Sequence, residues 1–256
     1  MEVELTRVEE FALITLNRPE ALNALSFDIV GQIGAAIDEA AAGDARAVFF
    51  IGAGERAFCA GADINELMGR SISATRDGAV LGQRTFAKLD SLAIPSIAII
   101  NGYAFGGGLE LAMACTFRLA TAKAKFGLPE IKLGLIPGYG GTQRLPRLVG
   151  PSRALELVMS GRTVEAQEGL EIGLINRLIE DGDAIAAAMD FARAFSGFSL
   201  PVLKLAREAV QRAATVPLDE GLTIEADLNT LAFQTEDAAE GTAAFLEKRK
   251  PKFKDA

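Results

Sequence analysis

The sequence predicts an α/β fold, a partly parallel sheet followed by a helical last third. Arg46-Ala47-Val48-Phe49-Phe50-Ile51 and Ile97-Ala98-Ile99-Ile100 are short, almost wholly apolar runs ending at Gly52 and at Asn101-Gly102, the pattern of strands buried on both faces. Residues 75–92 between them carry a helical period, so strand, helix and strand follow in the order of a parallel crossover. From about residue 140 the periodicity becomes helical. With 256 residues, half of them hydrophobic and 23% charged, the chain can bury one large core, which excludes a disordered class.

The elements follow in order. Val3-Glu4-Leu5 and Phe11-Ala12-Leu13-Ile14-Thr15-Leu16 alternate, predicting two strands joined by a turn near Glu9-Glu10. Asn17-Arg18-Pro19 stops the second strand, and Ser26 caps an alanine-rich helix that fades at Gly43. Very small residues from Cys59 to Asp63 precede helical Ile64-Asn65-Glu66-Leu67, and Gly106-Gly107-Gly108 open helical spacing from Leu109 to Ala114. Arg118-Leu119-Ala120-Thr121 reads as a strand. Helices are expected at 141–149, 151–160, 165–171, 183–195, 200–213 and 217–248, with a short strand at Leu174-Ile175. Pro201 and Pro217 stand at helix starts, and the boundary falls near residue 196, giving an α/β core over 1–195 and a helical region over 196–256.

Composition narrows the function. A net charge of −8 repels a phosphate backbone, so no nucleic-acid partner is expected. No apolar stretch approaches the roughly 18 residues of a membrane span, and Met1-Glu2-Val3-Glu4 lacks the basic start of a signal peptide, so no membrane association is expected and the cytoplasm is the expected compartment. Two cysteines cannot build a disulfide framework or a four-thiolate zinc site, and both read as small core residues. The absence of histidine removes Ser-His-Asp and Cys-His triads and histidine metal ligands, leaving acid–base chemistry to carboxylates, Lys, Tyr or Cys.

Gly52-Ala53-Gly54-Glu55-Arg56-Ala57 follows a strand and fits a relaxed dinucleotide fingerprint, but the residues after it are too small and Gly-broken to start the required helix. Cys59-Ala60-Gly61-Ala62-Asp63 either lets a ligand reach backbone N–H groups or simply makes a tight turn in a packed core. At Gly106-Gly107-Gly108 a helix N-terminus offers unpaired N–H groups to a developing anion, although the lysine and hydroxyl of a P-loop are missing. Glu110 rises from the same first turn as Gly107, either as a partner for the helix dipole or as a proton carrier beside an oxyanion site. Glu130 sits among apolar neighbours in a Pro/Gly-bounded loop, as an exposed glutamate or a functional one. Lys248-Arg249-Lys250-Pro251-Lys252-Phe253-Lys254 is a solvated tail or a pocket for phosphate groups, and Cys115 has no cation beside it in sequence to activate a thiolate.

Asn17-Arg18-Pro19 with Asn23-Ala24-Leu25, Ala57 through Ile64, Asn101 through Gly108 with Glu110, Pro129-Glu130, Pro137-Gly138 through Arg144 and the basic tail together resemble the crotonase superfamily, most closely its enoyl-CoA hydratases. The motifs keep the family's order across nearly the whole chain. The resemblance implies a crotonase-like core of repeated ββα units with a helical C-terminal trimerisation region, assembled as a homotrimer or a hexamer of two trimers. It also implies an acyl-CoA thioester substrate, with no cofactor beyond the coenzyme A that the substrate carries and no metal. Residue by residue, Ala62 and Gly107 become the oxyanion-hole donors, Glu110 and Glu130 the catalytic pair, and Gly138 a water-positioning residue. Ala60, Asp63 and Ile64 become coenzyme A contacts, mainly through backbone atoms. Asn65 stands where hydratases often carry lysine, and Gly69 to Gly82 matches no family pattern. The activity implied is reversible syn addition of water to trans-2-enoyl-CoA. A 3,2-enoyl-CoA isomerase and a noncatalytic acyl-CoA-binding homologue are the alternatives; the presence of both glutamates weighs against the first.

Overall fold

The structure is a computed structural model that describes residues 1–256. Strand β1 (Val3–Val8) turns at Glu9 and Glu10 into β2 (Phe11–Leu16), and helix α1 (Phe27–Ala42) follows, with the Ser26 hydroxyl accepting the Ile29 N–H at 3.1 Å. Next come β3 (Val48–Gly52), β4 (Ala57–Cys59), α2 (Ile64–Leu67) and α3 (Ile72–Ser91). The pattern repeats as β5 (Ser96–Ile100), β6 (Tyr103–Phe105) and α4 (Gly107–Ala114). It repeats again as β7 (Phe117–Thr121), β8 (Lys125–Gly127), a 3-10 turn at Pro129–Leu133 and α5 (Gly141–Val149). Then follow α6 (Pro151–Ser160), β9 (Val164–Glu165), α7 (Ala166–Glu171), β10 (Arg177–Ile179) and α8 (Ala184–Ser196). The last helices are α9 (Leu200–Arg212), α10 (Leu218–Phe233) and α11 (Glu236–Glu247).

The repeats explain the two sheets. One has strand order β1-β2-β3-β5-β7-β10, parallel except for the β1–β2 hairpin, and the other has order β4-β6-β8-β9. Strands β3, β5 and β7 of the first sheet are each followed by a three-residue strand of the second and then by helical structure, which is the ββα repeat. Phe49, Phe50, Ile97 and Ile99 are fully buried, as a parallel strand covered on both faces requires. Glycine is needed where the chain crosses between the sheets, because a Cβ on Gly52 or Gly102 would overlap the backbone at residues 56–58.

The structure departs from the sequence reading at short elements. Leu174 and Ile175 are buried but not a strand: both N–H groups donate to the Gly169 carbonyl and close α7, and the strand lies at Arg177–Ile179. The helix expected over 217–248 is two, because Thr235 starts a second one by accepting the Ala238 N–H at 3.0 Å. Cys115 does have a cationic neighbour, buried Arg118, which donates to its carbonyl; burial nonetheless pushes the thiol up to about 12.

The chain divides into two compact units, Met1–Phe191 and Ala192–Ala256, with the division inside α8. In the second unit the chain end is tied down by Asp237, whose carboxylate accepts the N–H groups of Lys254 and Asp255 at 2.7 and 2.9 Å. No helix is long and apolar enough to cross a membrane.

Candidate active site

The loop after β4 is zipped onto the segment before α1. Ala60 N–H donates to the Leu22 carbonyl, Leu25 N–H to the Gly61 carbonyl, and Asp63 N–H to the Leu25 carbonyl at 2.8 Å. Leu25 therefore bridges Gly61 and Asp63, and alternation along an extended strand turns the Ala62 N–H the other way, without a partner in the chain. The second such group is at Gly107, the first residue of α4, whose N–H is one of the donors a helix start leaves unpaired. The loops are neighbours: a Cβ on Gly61 would stand 3.6 Å from the Gly107 nitrogen. Gly106, at φ +50° and ψ −125°, makes the turn between β6 and α4 in a conformation open to glycine.

Two carboxylates converge on that helix start. Glu110 is 2% exposed, and its Oε1 accepts the Tyr139 N–H at 2.8 Å and the Gly141 N–H at 2.6 Å. Gly141 begins α5, so one carboxylate oxygen is held by the unpaired donors of a second helix N-terminus. Burial pushes Glu110 up to about 7 against the pull of the Gly141 N–H, and the charge of Glu130 adds to the rise. Glu130 is half-buried in the turn at Pro129–Leu133, with its Oε1 2.9 Å from where a Cβ on Gly106 would stand. Its Oε2 is shielded from water without a hydrogen-bond partner, and burial raises this carboxyl as well. Glu130 thus faces the turn that carries the Gly107 N–H, and its charge reaches Glu110 on the helix that the turn begins.

The other expected contacts are distributed differently. Asp63 caps α2 and pairs with Arg18 at 2.9 Å, which with the Asn65 N–H holds its carboxyl below the usual range. The N–H groups of Ala60 and Asp63 are engaged within the chain, whereas the Ile64 side chain is 53% exposed. The Gly138 carbonyl accepts the Gln83 amide at 2.9 Å, which leaves its N–H as the group able to meet a water. Arg249 of the basic tail is engaged by both oxygens of Glu240, at 2.6 and 2.8 Å. Gly52 leads into strand β4 instead of a helix, so the Gly52–Ala57 run is not a dinucleotide loop. Sequence reasoning missed Tyr139 and Gly141 as holders of Glu110; the available signal was the glycine pair ahead of α5, a helix start with donors to offer.

Residues 6–256 match the family described as enoyl-CoA hydratase/isomerase. The short-chain-enoyl-CoA hydratase of Clostridium acetobutylicum is 39% identical over 97% of this chain and 95% of its own. The crotonyl-CoA hydratase of Syntrophomonas wolfei is 40% identical over 97% of this chain and 96% of its own. A crystal structure of enoyl-CoA hydratase from Bacillus anthracis superposes with a TM-score of 0.94 at 36% identity, covering 100% of both chains. Two unpaired N–H groups beside two raised carboxylates are thus set in a chain that, over nearly all its length, belongs to the enoyl-CoA hydratase/isomerase family.

Proposed function

We propose a route by which this enoyl-CoA hydratase adds water to a trans-2-enoyl-CoA, with Glu110 and Glu130 as its acid–base pair. The thioester oxygen accepts from the Ala62 and Gly107 N–H groups, so negative charge that develops there meets donors already in place. A water between the carboxylates loses a proton to Glu110 as its oxygen attacks C3, and Glu130 delivers its proton to C2. Both transfers come from one face, which makes the addition syn and the product a 3-hydroxyacyl-CoA. The direction of transfer follows from the hydrogen bonds. Two backbone N–H groups stabilise charge on Glu110, whereas the bare, shielded Oε2 of Glu130 favours the protonated form. With Glu130 neutral, its contribution to raising Glu110 disappears, and the pair holds one proton between two carboxyls.

The route uses no metal or redox cofactor, since coenzyme A arrives as part of the substrate. In this route the Gly138 N–H holds the attacking water between the acids, and Ala60, Asp63 and Ile64 serve the coenzyme. Short 2-enoyl chains are the substrate class we favour, the class for which the Clostridium and Syntrophomonas relatives are named. We take the working form as a cytoplasmic homotrimer or hexamer, in keeping with exposed apolar side chains on the last helices such as Leu231, Phe233 and Phe245.

The unpartnered, shielded Oε2 of Glu130, on a carboxyl that stands against the Gly106 turn and whose charge reaches Glu110, carries this reading. The test follows loss of the conjugated enoyl-thioester absorbance with crotonyl-CoA. Wild type is expected to give 3-hydroxybutyryl-CoA, and Glu110→Gln and Glu130→Gln each to lose about 10²- to 10⁴-fold in kcat. Turnover of 3-enoyl-CoA alone would make the chain an isomerase, and acyl-CoA binding without turnover would make it a binding protein.

A further inference from the structure

One face of α3 is built to seat an aromatic ring beside the candidate oxyanion hole. Gly78, Gly82, Phe86 and Asp90 recur every four residues along it, one above the other. Gly78 receives the Phe27 ring and Gly82 the Tyr139 ring; a Cβ on either glycine would overlap its ring. Phe86 holds Tyr139 edge-on, with ring centroids 5.7 Å apart at 90°. Asp90 closes the row with a bidentate pair to Arg144 of α5, at 2.8 and 2.6 Å. Gln83, on the adjoining stripe, ties α3 to the Gly138 carbonyl. The segment from Gly69 to Gly82, which matches no family pattern in sequence, thus supplies the glycine that seats Tyr139 and, at Gly78, one that seats Phe27.

The seated ring is close to the chemistry. Two Tyr139 ring carbons lie 3.2 and 3.3 Å from where a Cβ on Gly107 would stand, and the Leu25 Cδ1 methyl lies 3.3 Å from the same point. The Tyr139 N–H itself holds Glu110 Oε1. The ring thus stands against the residue whose N–H would hold the carbonyl and beside the carboxylate that would face C3, where it can meet the acyl carbons beyond C3. The tyrosine side chain is 7% exposed and packed against α3, so it cannot swing aside without leaving Phe86.

We propose that the Tyr139 side chain, seated against Gly82 and Phe86 of α3, is the end wall of the acyl chamber and selects short 2-enoyl chains. The proposal rests on the hydration route above and adds the residue that sets chain length. Tyr139 is a specificity-determining residue through its bulk, and the phenol oxygen is not required.

The experiment measures kcat/KM for trans-2-enoyl-CoA of four, six and eight carbons with wild type, Tyr139→Phe, Tyr139→Leu and Tyr139→Ala. Wild type should favour four carbons over eight by roughly 10- to 200-fold, the range one badly fitted methylene can produce in an apolar pocket. Tyr139→Phe should keep that ratio, and Tyr139→Leu and Tyr139→Ala should lower it at least ten-fold. Inhibition of wild type by saturated acyl-CoA gives a readout free of variants: octanoyl-CoA should bind no tighter than butyryl-CoA, although its added methylenes favour binding in an open apolar channel. Equal wild-type rates at all lengths, tighter octanoyl-CoA binding, or an unchanged ratio in active Leu and Ala variants overturns the end wall alone. Wild type that hydrates no 2-enoyl-CoA overturns the hydration route, and the end wall with it.

Discussion

Glu110 is pushed by burial to about 7, and in the proposed route it must be ionised to take a proton from water. With Glu130 neutral its charge no longer adds to the rise, so hydration should be lost as pH falls below about 7, and lost again as rising pH ionises Glu130, whose carboxyl burial also raises. A pH profile of kcat/KM with crotonyl-CoA checks both limbs, and Glu110→Asp should retain an acidic limb that Glu110→Gln lacks. The same shift has a cost in stability. Between the ordinary 4.5 and about 7 the folded chain keeps a proton that the unfolded chain has released, so the fold weakens as pH rises through that window. The full cost, about 3 kcal/mol, stands above the window. Glu110→Gln should accordingly raise Tm at about pH 8, with the gain fading as pH falls toward 4.5, as thermal melts at the two pH values would record.

At the scale of elements, two helix glycines that look alike in sequence should behave oppositely. Gly31 of α1 is exposed with open space where a Cβ would go, so Gly31→Ala should stabilise the fold by roughly 0.5–1 kcal/mol in denaturant titration. Gly82 of α3 holds the Tyr139 ring in that space, so Gly82→Ala should destabilise by about 1–3 kcal/mol and displace the loop that holds Glu110. The same contrast shows what was legible in the sequence. Long elements were, because β3 and β5 read as buried apolar runs and α1 announced its Ser26 cap. The second sheet was not. Strands β4, β6 and β8 are three residues each, too short to alternate, and are defined by pairing with one another across the chain. Leu174 and Ile175 misled for a related reason: burial in a helix end and burial in a strand leave the same apolar residues. In the site, glycines and acids were visible as residue types. The contacts Tyr139 and Gly141 make with Glu110 cross 29 and 31 residues, and local pattern does not encode them.

For the whole molecule, a net charge of −8 is expected to keep the protein off nucleic acid at physiological salt, which a filter-binding titration would check. Exposed Leu218, Leu222, Leu231 and Phe233 on α10 belong to the region proposed to assemble, so sedimentation should give three or six times the mass of one chain. A monomer at micromolar concentration would contradict that assembly. The central claim is that two carboxylates act on one water, and it is tested most directly by kcat for crotonyl-CoA hydration in Glu110→Gln, Glu130→Gln and the double variant. Groups that work as a unit are not additive, so the double variant should fall about as far as the worse single one, by roughly 10²- to 10⁴-fold. Near-native turnover in either single variant, or losses that multiply in the double, would contradict the shared-water mechanism.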